Sequence, residues 1–386
     1  MKVIVFNTLY YPNKKGGAER SVQLVSEALV QQGVQVDVVS IWDKLSARVE
    51  VINGVRSIKW SPHNLYSVHN YSATRKKIIE KMLWQIIDIF NFAMFLKALH
   101  LFTIKRPDVI WTNNLSGFSL SIWIAAFLLR VPVCHTARDY YLLSNNVQLY
   151  KDGKLIPGHN IFSKIKISLF YFLSKWLRVF VGISDFVVSY HAKYSRCKCQ
   201  ERIYNSVDFD INRNMIRSAS ISNVKARVFG YLGQINNAKG VDDLIKHFLS
   251  NSLNSTLRIA GKDEDGYAEQ YNVERVSFVG FQTPESFFEN IDCLIVPSLW
   301  DEPFGRIVVE ALANMTPVLC STQGGLSELS NMFSSVYQFT FNDIFDYDKF
   351  ELNYKVEDDV FLRLNFSNEA IAKQYIQLFR KVICTL

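Results

Sequence analysis

Short apolar runs, bounded by glycines and polar clusters, alternate with longer stretches of helical period along most of the chain. Lys2–Thr8 reads as a strand buried on both faces. A loop with Gly16-Gly17 follows, then a helix from about Ala18 to Gln32 that Gly33 closes, then the strand Val34–Ile41. Asp108–Thr112, a helix over Ser116–Leu129 and Val131–His135 continue the alternation, and the helix Ile165–Leu177 leads into Val179–Ile183. Ser184 stands where it would cap the next helix. The plan then restarts. Arg227–Leu232 is a strand, Gly233–Lys239 a loop and Val241–Ser250 a helix, with further strands at Thr256–Ala260, Val276–Val279, Cys293–Pro297 and Pro317–Cys320. Two strand–glycine loop–helix openings in tandem predict an α/β protein of two Rossmann-like domains, with ligand at the carboxyl ends of both sheets. Gln200–Val224 is polar and irregular and is the expected linker, which puts the first domain at 1–200 and the second at 201–366. A final helix, Ser367–Ile383, follows an acidic and poorly patterned stretch, Asp343–Asp359.

Length and composition fit this plan. A chain of 386 residues exceeds most single cores, and 49% hydrophobic with 20% charged residues is globular. Met1–Thr8 lacks the charged-then-apolar layout of a secretory signal. Met82–Phe102 is interrupted by Asp88, Asn91 and Lys97, and Phe118–Leu129 is too short to span a bilayer. Six cysteines show no paired framework, and Cys197-Lys198-Cys199 lacks the spacer of common zinc sites, so reduced thiols in a cytoplasmic protein are expected. The charge is uneven. Residues 1–199 hold 26 Lys+Arg against 11 Asp+Glu, and residues 200–386 hold 17 against 25. The basic half implies an anionic partner. Its basic residues follow no nucleic-acid motif, so no nucleic acid is expected. Lys164, Lys166, Lys175 and Arg178 instead interleave with Phe170, Tyr171, Phe172 and Trp176, and Arg75-Lys76-Lys77 precedes an apolar helix around Trp84–Leu101. Two readings stand side by side: basic amphipathic helices resting on an anionic membrane surface, or core helices with a solvated basic edge.

The densest chemistry lies at Trp300-Asp301-Glu302-Pro303-Phe304-Gly305-Arg306-Ile307-Val308-Val309-Glu310-Ala311. Two carboxylates eight residues apart straddle a strand-to-helix transition. Glu302 precedes a proline and is steered into the loop, while Glu310 falls inside the helix. Amides at such a helix start suit a phosphate, and a carboxylate accepts two hydroxyl protons at once, so the stretch suits a phosphorylated, hydroxyl-rich ligand. A glycosidase pair is disfavoured: a rise of ~1.5 Å per residue sets the two up to ~12 Å apart, beyond the ~5 to ~9.5 Å that hydrolysis uses.

With Ala311-Leu312-Ala313, Thr316-Pro317-Val318 and Gly324-Gly325 behind it, this string resembles the E-x7-E signature of retaining nucleotide-sugar glycosyltransferases of the GT-B fold, glycosyltransferase family 4. The resemblance covers nearly the whole chain. It implies two Rossmann-like domains facing across a cleft, with residues 367–386 packing back on the first. Glu302 would then hydrogen-bond the donor sugar and Glu310 the ribose hydroxyls. Gly233, Gln234 and Lys239 match the segment that grips the donor diphosphate, except that Gln234 stands where arginine is usual. Glutamine brings hydrogen bonds without charge, which would shift that load to Lys239, Arg306 and the helix-start amides near Gly305–Ile307, with Phe304 beside them among the donor-binding candidates. Gly16-Gly17 matches the family's glycine loop, His135 its strand-end histidine at the donor sugar, and Gly280-Phe281 its base pocket. Asn205-Ser206-Val207-Asp208 resembles a hinge segment from which Asn205 could reach the cleft. Asp139 and Tyr140 are acceptor candidates. Glu302, His135 and Lys239 are the catalytic candidates.

The implied reaction is transfer of a sugar, of hexosyl type, from a nucleotide-diphosphate sugar to a glycan or polyprenyl-linked glycan. It would proceed with retention and without cofactor or metal, in bacterial surface polysaccharide synthesis at the inner membrane face. Rivals remain open. An oxidoreductase needs a glycine fingerprint that Gly16-Gly17-Ala18-Glu19 does not supply. A sugar-nucleotide epimerase on the same fold, or a silent nucleotide-sugar-binding scaffold, is separated only by assay.

Overall fold

The computed structural model describes residues 1–13, 16–44, 47–67, 77–144, 149–151, 154–155, 158, 160–209, 222–263, 265–271, 273–343 and 345–384. Arg75, Lys76 and residues 210–221 of the expected linker lie outside this set. The chain divides into two compact units, one of Met1–Leu149, Ile156–Ser206 and Asn368–Leu386, the other of Tyr150–Leu155 and Val207–Ser367.

In chain order the first elements are β1 (Lys2–Phe6), α1 (Gly17–Gln31), β2 (Gln35–Ile41), β3 (Arg48–Ile52), β4 (Val55–Trp60), α2 (Ile78–Ile89) and α3 (Phe92–Lys105). They continue with β5 (Val109–Thr112), α4 (Ser121–Leu128), β6 (Val133–Ala137), β7 (Tyr150–Lys151), β8 (Lys154–Leu155), α5 (Ile161–Leu173), β9 (Val179–Gly182), α6 (Asp185–Ala192) and β10 (Gln200–Arg202). Eight strands of the first unit form one sheet in the order β10-β9-β6-β5-β1-β2-β4-β3. All its pairs are parallel except β3 with β4 at the edge. That hairpin turns on Asn53-Gly54, both at positive φ, the geometry that favours Asn-Gly in a two-residue turn. The helix expected over Ser116–Leu129 begins later, at Ser121. Gly117 and Ser119 take positive φ and fold the preceding residues into turns, and the Ser119 hydroxyl accepts the Asn91 and Ser121 N–H groups.

The second unit adds β11 (Ser222–Lys225), β12 (Val228–Leu232), α7 (Val241–Asn251), β13 (Thr256–Ala260), α8 (Tyr267–Gln270), β14 (Val276–Phe278) and α9 (Pro284–Phe288). It closes with β15 (Cys293–Val296), α10 (Arg306–Ala313), β16 (Val318–Cys320), α11 (Gly325–Met332), β17 (Val336–Gln338), β18 (Glu351–Asn353) and α12 (Val356–Phe366). Six of these strands form an all-parallel sheet, β14-β13-β12-β15-β16-β17, with their carboxyl ends on one rim. The acidic stretch before the last helix is more ordered than its pattern implies. It holds β18, paired with β11, and opens α12, whose Asp358 carboxylate accepts the Ser334 and Ser335 N–H groups.

Helix α13 (Asn368–Cys384) belongs to the first unit and packs on α1. Its Tyr375 and Phe379 enter the core formed by Val3, Val36 and Trp111, with the Tyr375 ring 4.6 Å from that of Trp111. The Tyr375 hydroxyl also meets Thr136 Oγ1 at 3.1 Å. A ring of this size buried with its polar tip satisfied anchors a terminal helix firmly.

Candidate active site

In the second unit the candidates converge where β12, β15 and β16 end. The Gly233 N–H donates to the Ala260 carbonyl, and the Gly233 carbonyl lies so close to Gly261 that a Cβ there would sit 1.7 Å from it. Asn236 caps the short turn Asn237–Lys239, and Gly240 at positive φ lets it press on β15, where a Cβ would meet the Pro297 carbonyl at 2.2 Å. The turn thus carries Lys239 across to the loop after β15. Lys239 Nζ donates to Glu302 Oε1 at 2.5 Å and stands 5.0 Å from the Trp300 ring centre. The same carboxylate oxygen accepts Ser298 Oγ at 2.7 Å and Trp300 Nε1 at 3.0 Å. Glu302 Oε2 has no hydrogen-bond partner among the described residues, although Glu302 as a whole is only 9% exposed.

The backbone around this carboxylate is fixed by glycines. Glu302 bridges to Gly324, and the Gly325 N–H donates to the Glu302 carbonyl at 2.7 Å. Gly324 has φ near +60°, and a Cβ there would lie 2.4 Å from that carbonyl oxygen; at Gly325 it would lie 2.8 Å from Phe304 Cα. Gly305, also left-handed, caps α10 beneath Leu326. Only glycine accepts both the conformation and the approach. On α10, Arg306 Nε donates to Glu310 Oε1 at 2.6 Å, so the candidates for the diphosphate and the neighbouring ribose are paired with each other.

Other second-unit candidates are placed less directly. The Gln234 side chain is exposed, and its backbone carbonyl accepts the Tyr231 hydroxyl at 2.5 Å. Gly280 takes positive φ and its carbonyl accepts the Gly261 N–H, while the Phe281 ring is 84% exposed. Phe304 keeps its side chain away from any ligand. It is buried against Phe366, so a donor could meet this residue only through its backbone.

In the first unit, Gly16 caps α1 and donates its N–H to Glu19, and Gly17 opens the helix. His135 lies on β6, fully inside. Its Nδ1 meets Thr112 Oγ1 at 2.9 Å and its ring is edge-on to Trp123. Burial, with help from His191 and Arg138, lowers its pKa to about 3, so the imidazole is neutral at physiological pH. Asp139 accepts Asn114 Nδ2 and the Tyr141 N–H, and burial raises its carboxyl above the usual range. Tyr140 is a correction: it is fully buried against Tyr190 and His191 and presents no surface to an acceptor. Asn205 is likewise buried, held by Arg138 rather than open to a ligand. Lys166 corrects the reading of a basic helix face, because it is buried on Asp88 at 3.3 Å.

Sequence reasoning missed Ser298 and Trp300, the partners of Glu302. A serine two residues past a strand and a tryptophan in the following loop carry no distinct spacing signal, and only the fold aims both at one oxygen. Among the described residues no group of three His, Cys, Asp or Glu side chains is placed to hold a metal ion.

Residues 15–211 match the family described as Glycosyltransferase Family 4, and residues 212–347 match Glycosyl transferases group 1. An uncharacterized 42.6 kDa protein in the cps region of Klebsiella pneumoniae is 32% identical over 384 residues, spanning 98% of this chain and 100% of the relative. An uncharacterized glycosyltransferase of Methanocaldococcus jannaschii is 25% identical over 358 residues, 85% of this chain and 82% of that protein. Among solved structures, sucrose-phosphate synthase from Thermosynechococcus elongatus superposes with a TM-score of 0.71 at 18% identity, covering 100% of both chains. HepE from Anabaena, solved with UDP and glucose, gives 0.69 at 16% identity, covering 99% of this chain and 100% of that one. The fold and the family matches together define a glycosyltransferase of the GT-B fold. The chain belongs to glycosyltransferase family 4.

Proposed function

We propose that this enzyme moves a sugar from a nucleotide-diphosphate sugar to a hydroxyl of a glycan or lipid-linked glycan, with retention at the anomeric carbon, in the assembly of a bacterial surface polysaccharide. One observation carries the reading: a single, nearly buried carboxylate oxygen of Glu302 takes three donors while Oε2 is left for a ligand hydroxyl. Such an oxygen, preset by its neighbours, costs little to reorganise when a sugar binds. Lys239 supplies positive charge beside it, suited to a departing diphosphate, and Arg306 becomes available to phosphate once ribose hydroxyls take its place on Glu310. The departing phosphate oxygen would take the acceptor proton on the same face. Neighbours point the same way: HepE was solved in complex with UDP and with UDP-glucose, and the Klebsiella relative is a protein of a cps region. In this reading Lys239 and Arg306 meet the diphosphate, Glu310 the ribose and Glu302 the sugar, and the reaction uses no metal or cofactor.

The test is a panel of UDP-, GDP- and ADP-sugars, read by thermal shift on the native chain and on Glu310→Ala, followed by anomeric analysis of the product. Stabilisation by one base, on the order of 2–3 kcal/mol at a hundredfold excess over Kd and lost in the variant, supports the reading. Binding with no diphosphate release in the presence of glycan acceptors would make the chain a nucleotide-sugar-binding scaffold instead. An isomerised nucleotide sugar formed without acceptor would make it an epimerase.

A further inference from the structure

Helix α2 of the first unit is inside-out. It buries Trp84, Gln85 and Asp88, while Ile78 and Ile79 are 78% and 69% exposed and Met82, Leu83 and Ile86 are exposed beside them. Its buried carboxylate is engaged: Asp88 accepts the Gly117 N–H, the Tyr141 hydroxyl and Lys166 Nζ. The helix therefore cannot roll over to hide its apolar side, because doing so would strip Lys166 and Gly117 of their partner.

The outward apolar face continues onto its neighbours. Phe92, Leu96 and Ile104 are exposed on α3, and Phe127 and Leu128 at the end of α4, which packs on α3. Helix α5, packed on α2, turns Ile161, Ile165, Tyr171 and Phe172 to solvent. Soluble chains rarely expose that many large apolar side chains on adjoining helices without a partner. The charge on these helices is one-sided. Their described acidic residues are Glu80 and the buried Asp88, whereas Lys164 is exposed beside Ile161 and Ile165 on α5, Lys175 just past the end of α5, Arg106 and Arg130 at helix ends, and Lys77 and Lys81 at the start of α2, on the side away from its apolar face. Apolar side chains interleaved with lysines at the level of an interface match the acyl–headgroup boundary of an anionic leaflet.

We propose that the α2–α5 face of the first unit docks on an anionic phospholipid bilayer, with Ile79, Met82 and Ile86 entering the headgroup boundary and Lys164 and Lys175 meeting the phosphates. The proposal stands on the surface of this unit and does not depend on the sugar-transfer reading. The experiment is co-sedimentation of the whole chain with vesicles of phosphatidylcholine alone or mixed with phosphatidylglycerol, at low and high salt. The expected result is binding to the mixed vesicles that weakens with salt. It should fall by tenfold or more in the double variant Ile79→Glu/Ile86→Glu, and by about fivefold per residue in Lys164→Glu and Lys175→Glu, the factor matching ~1 kcal/mol per basic residue at such a surface. Val360→Glu, an exposed apolar site on α12 of the second unit, should change nothing. Melting curves show that each variant is folded. Failure of the native chain to bind either vesicle overturns the proposal, as does unchanged binding by Ile79→Glu/Ile86→Glu. A dimer by light scattering that the same double variant dissociates would assign the face to a second copy instead.

Discussion

Each unit holds a lysine–carboxylate pair, and the two pairs are built for different ends. Asp88 and Lys166 in the first unit are both buried, and every donor around the aspartate comes from the protein: a backbone amide, a tyrosine hydroxyl and the ammonium, which also sits 3.9 Å from the Tyr141 ring centre. Burial raises the aspartate and lowers the lysine, and their mutual attraction opposes both shifts. Nothing is left over to bind with. Glu302 and Lys239 in the second unit keep side-chain exposures of 12% and 20%, crowd their hydrogen bonds on one oxygen and leave the other open. The first arrangement fixes helices; the second presents a charged group to a ligand. Lysine and carboxylate alone do not separate the cases, but satisfaction of the second oxygen does.

The contrast can be broken by substitution. Asp88→Ala should cost the most, about 3–5 kcal/mol of stability, since it strands a buried ammonium. The check is urea unfolding, and a loss under ~1 kcal/mol would show that Lys166 finds water or another partner. Glu302→Gln should do the reverse, leaving the melting temperature near native while lowering transfer on the order of 100-fold, as loss of one preset polar contact in a site does. Equal damage to stability and activity would erase the distinction between the pairs. Gly324→Ala links the two behaviours. The new Cβ meets the Glu302 carbonyl at 2.4 Å in a left-handed conformation, so ~1–3 kcal/mol of stability and much of the activity should go together.

The smallest effect is on pH dependence. His135 and His191 are held to about 3 and about 4 by burial, so the folded chain refuses protons that the unfolded chain takes below the ordinary histidine value near 6.5. Stability should therefore fall as pH drops from 6.5 toward 4, by up to ~1.4 kcal/mol per pH unit for each histidine. The raised carboxyls of Asp88 and Asp139 work the other way, since the folded chain keeps protons that the unfolded chain would release. Melting temperatures across this range should have a shallower slope in His135→Asn. An unchanged slope would mean that the ring takes up a proton in the folded state.

Much of the fold was legible because its signals are local. Runs such as Val3-Ile4-Val5 and Leu294-Ile295-Val296 mark doubly covered strands, and the α/β alternation and the family follow from their order and from the Glu302–Glu310 string. The β3–β4 hairpin was missed although Asn53-Gly54 announces it, and α12 was lost in an acidic stretch whose Asp358 points inward to cap a turn. Within the candidate site, the string located the two glutamates, but no spacing rule tied Ser298 and Trp300 to the first of them.

By itself, then, the sequence determined the class of fold, the family and the segment where chemistry concentrates, because periodicity, proline and glycine act over a few residues. Tertiary structure decided what each polar side chain is for. It buried Tyr140 and Asn205, spent Lys166 on Asp88, turned the apolar side of α2 outward and gathered three donors on one oxygen of Glu302. Several of those outcomes depend on surfaces that meet across more than sixty residues of chain, as with Lys239 and Glu302 or Asp88 and Lys166, and burial and hydrogen-bond satisfaction are properties of that meeting rather than of any one segment.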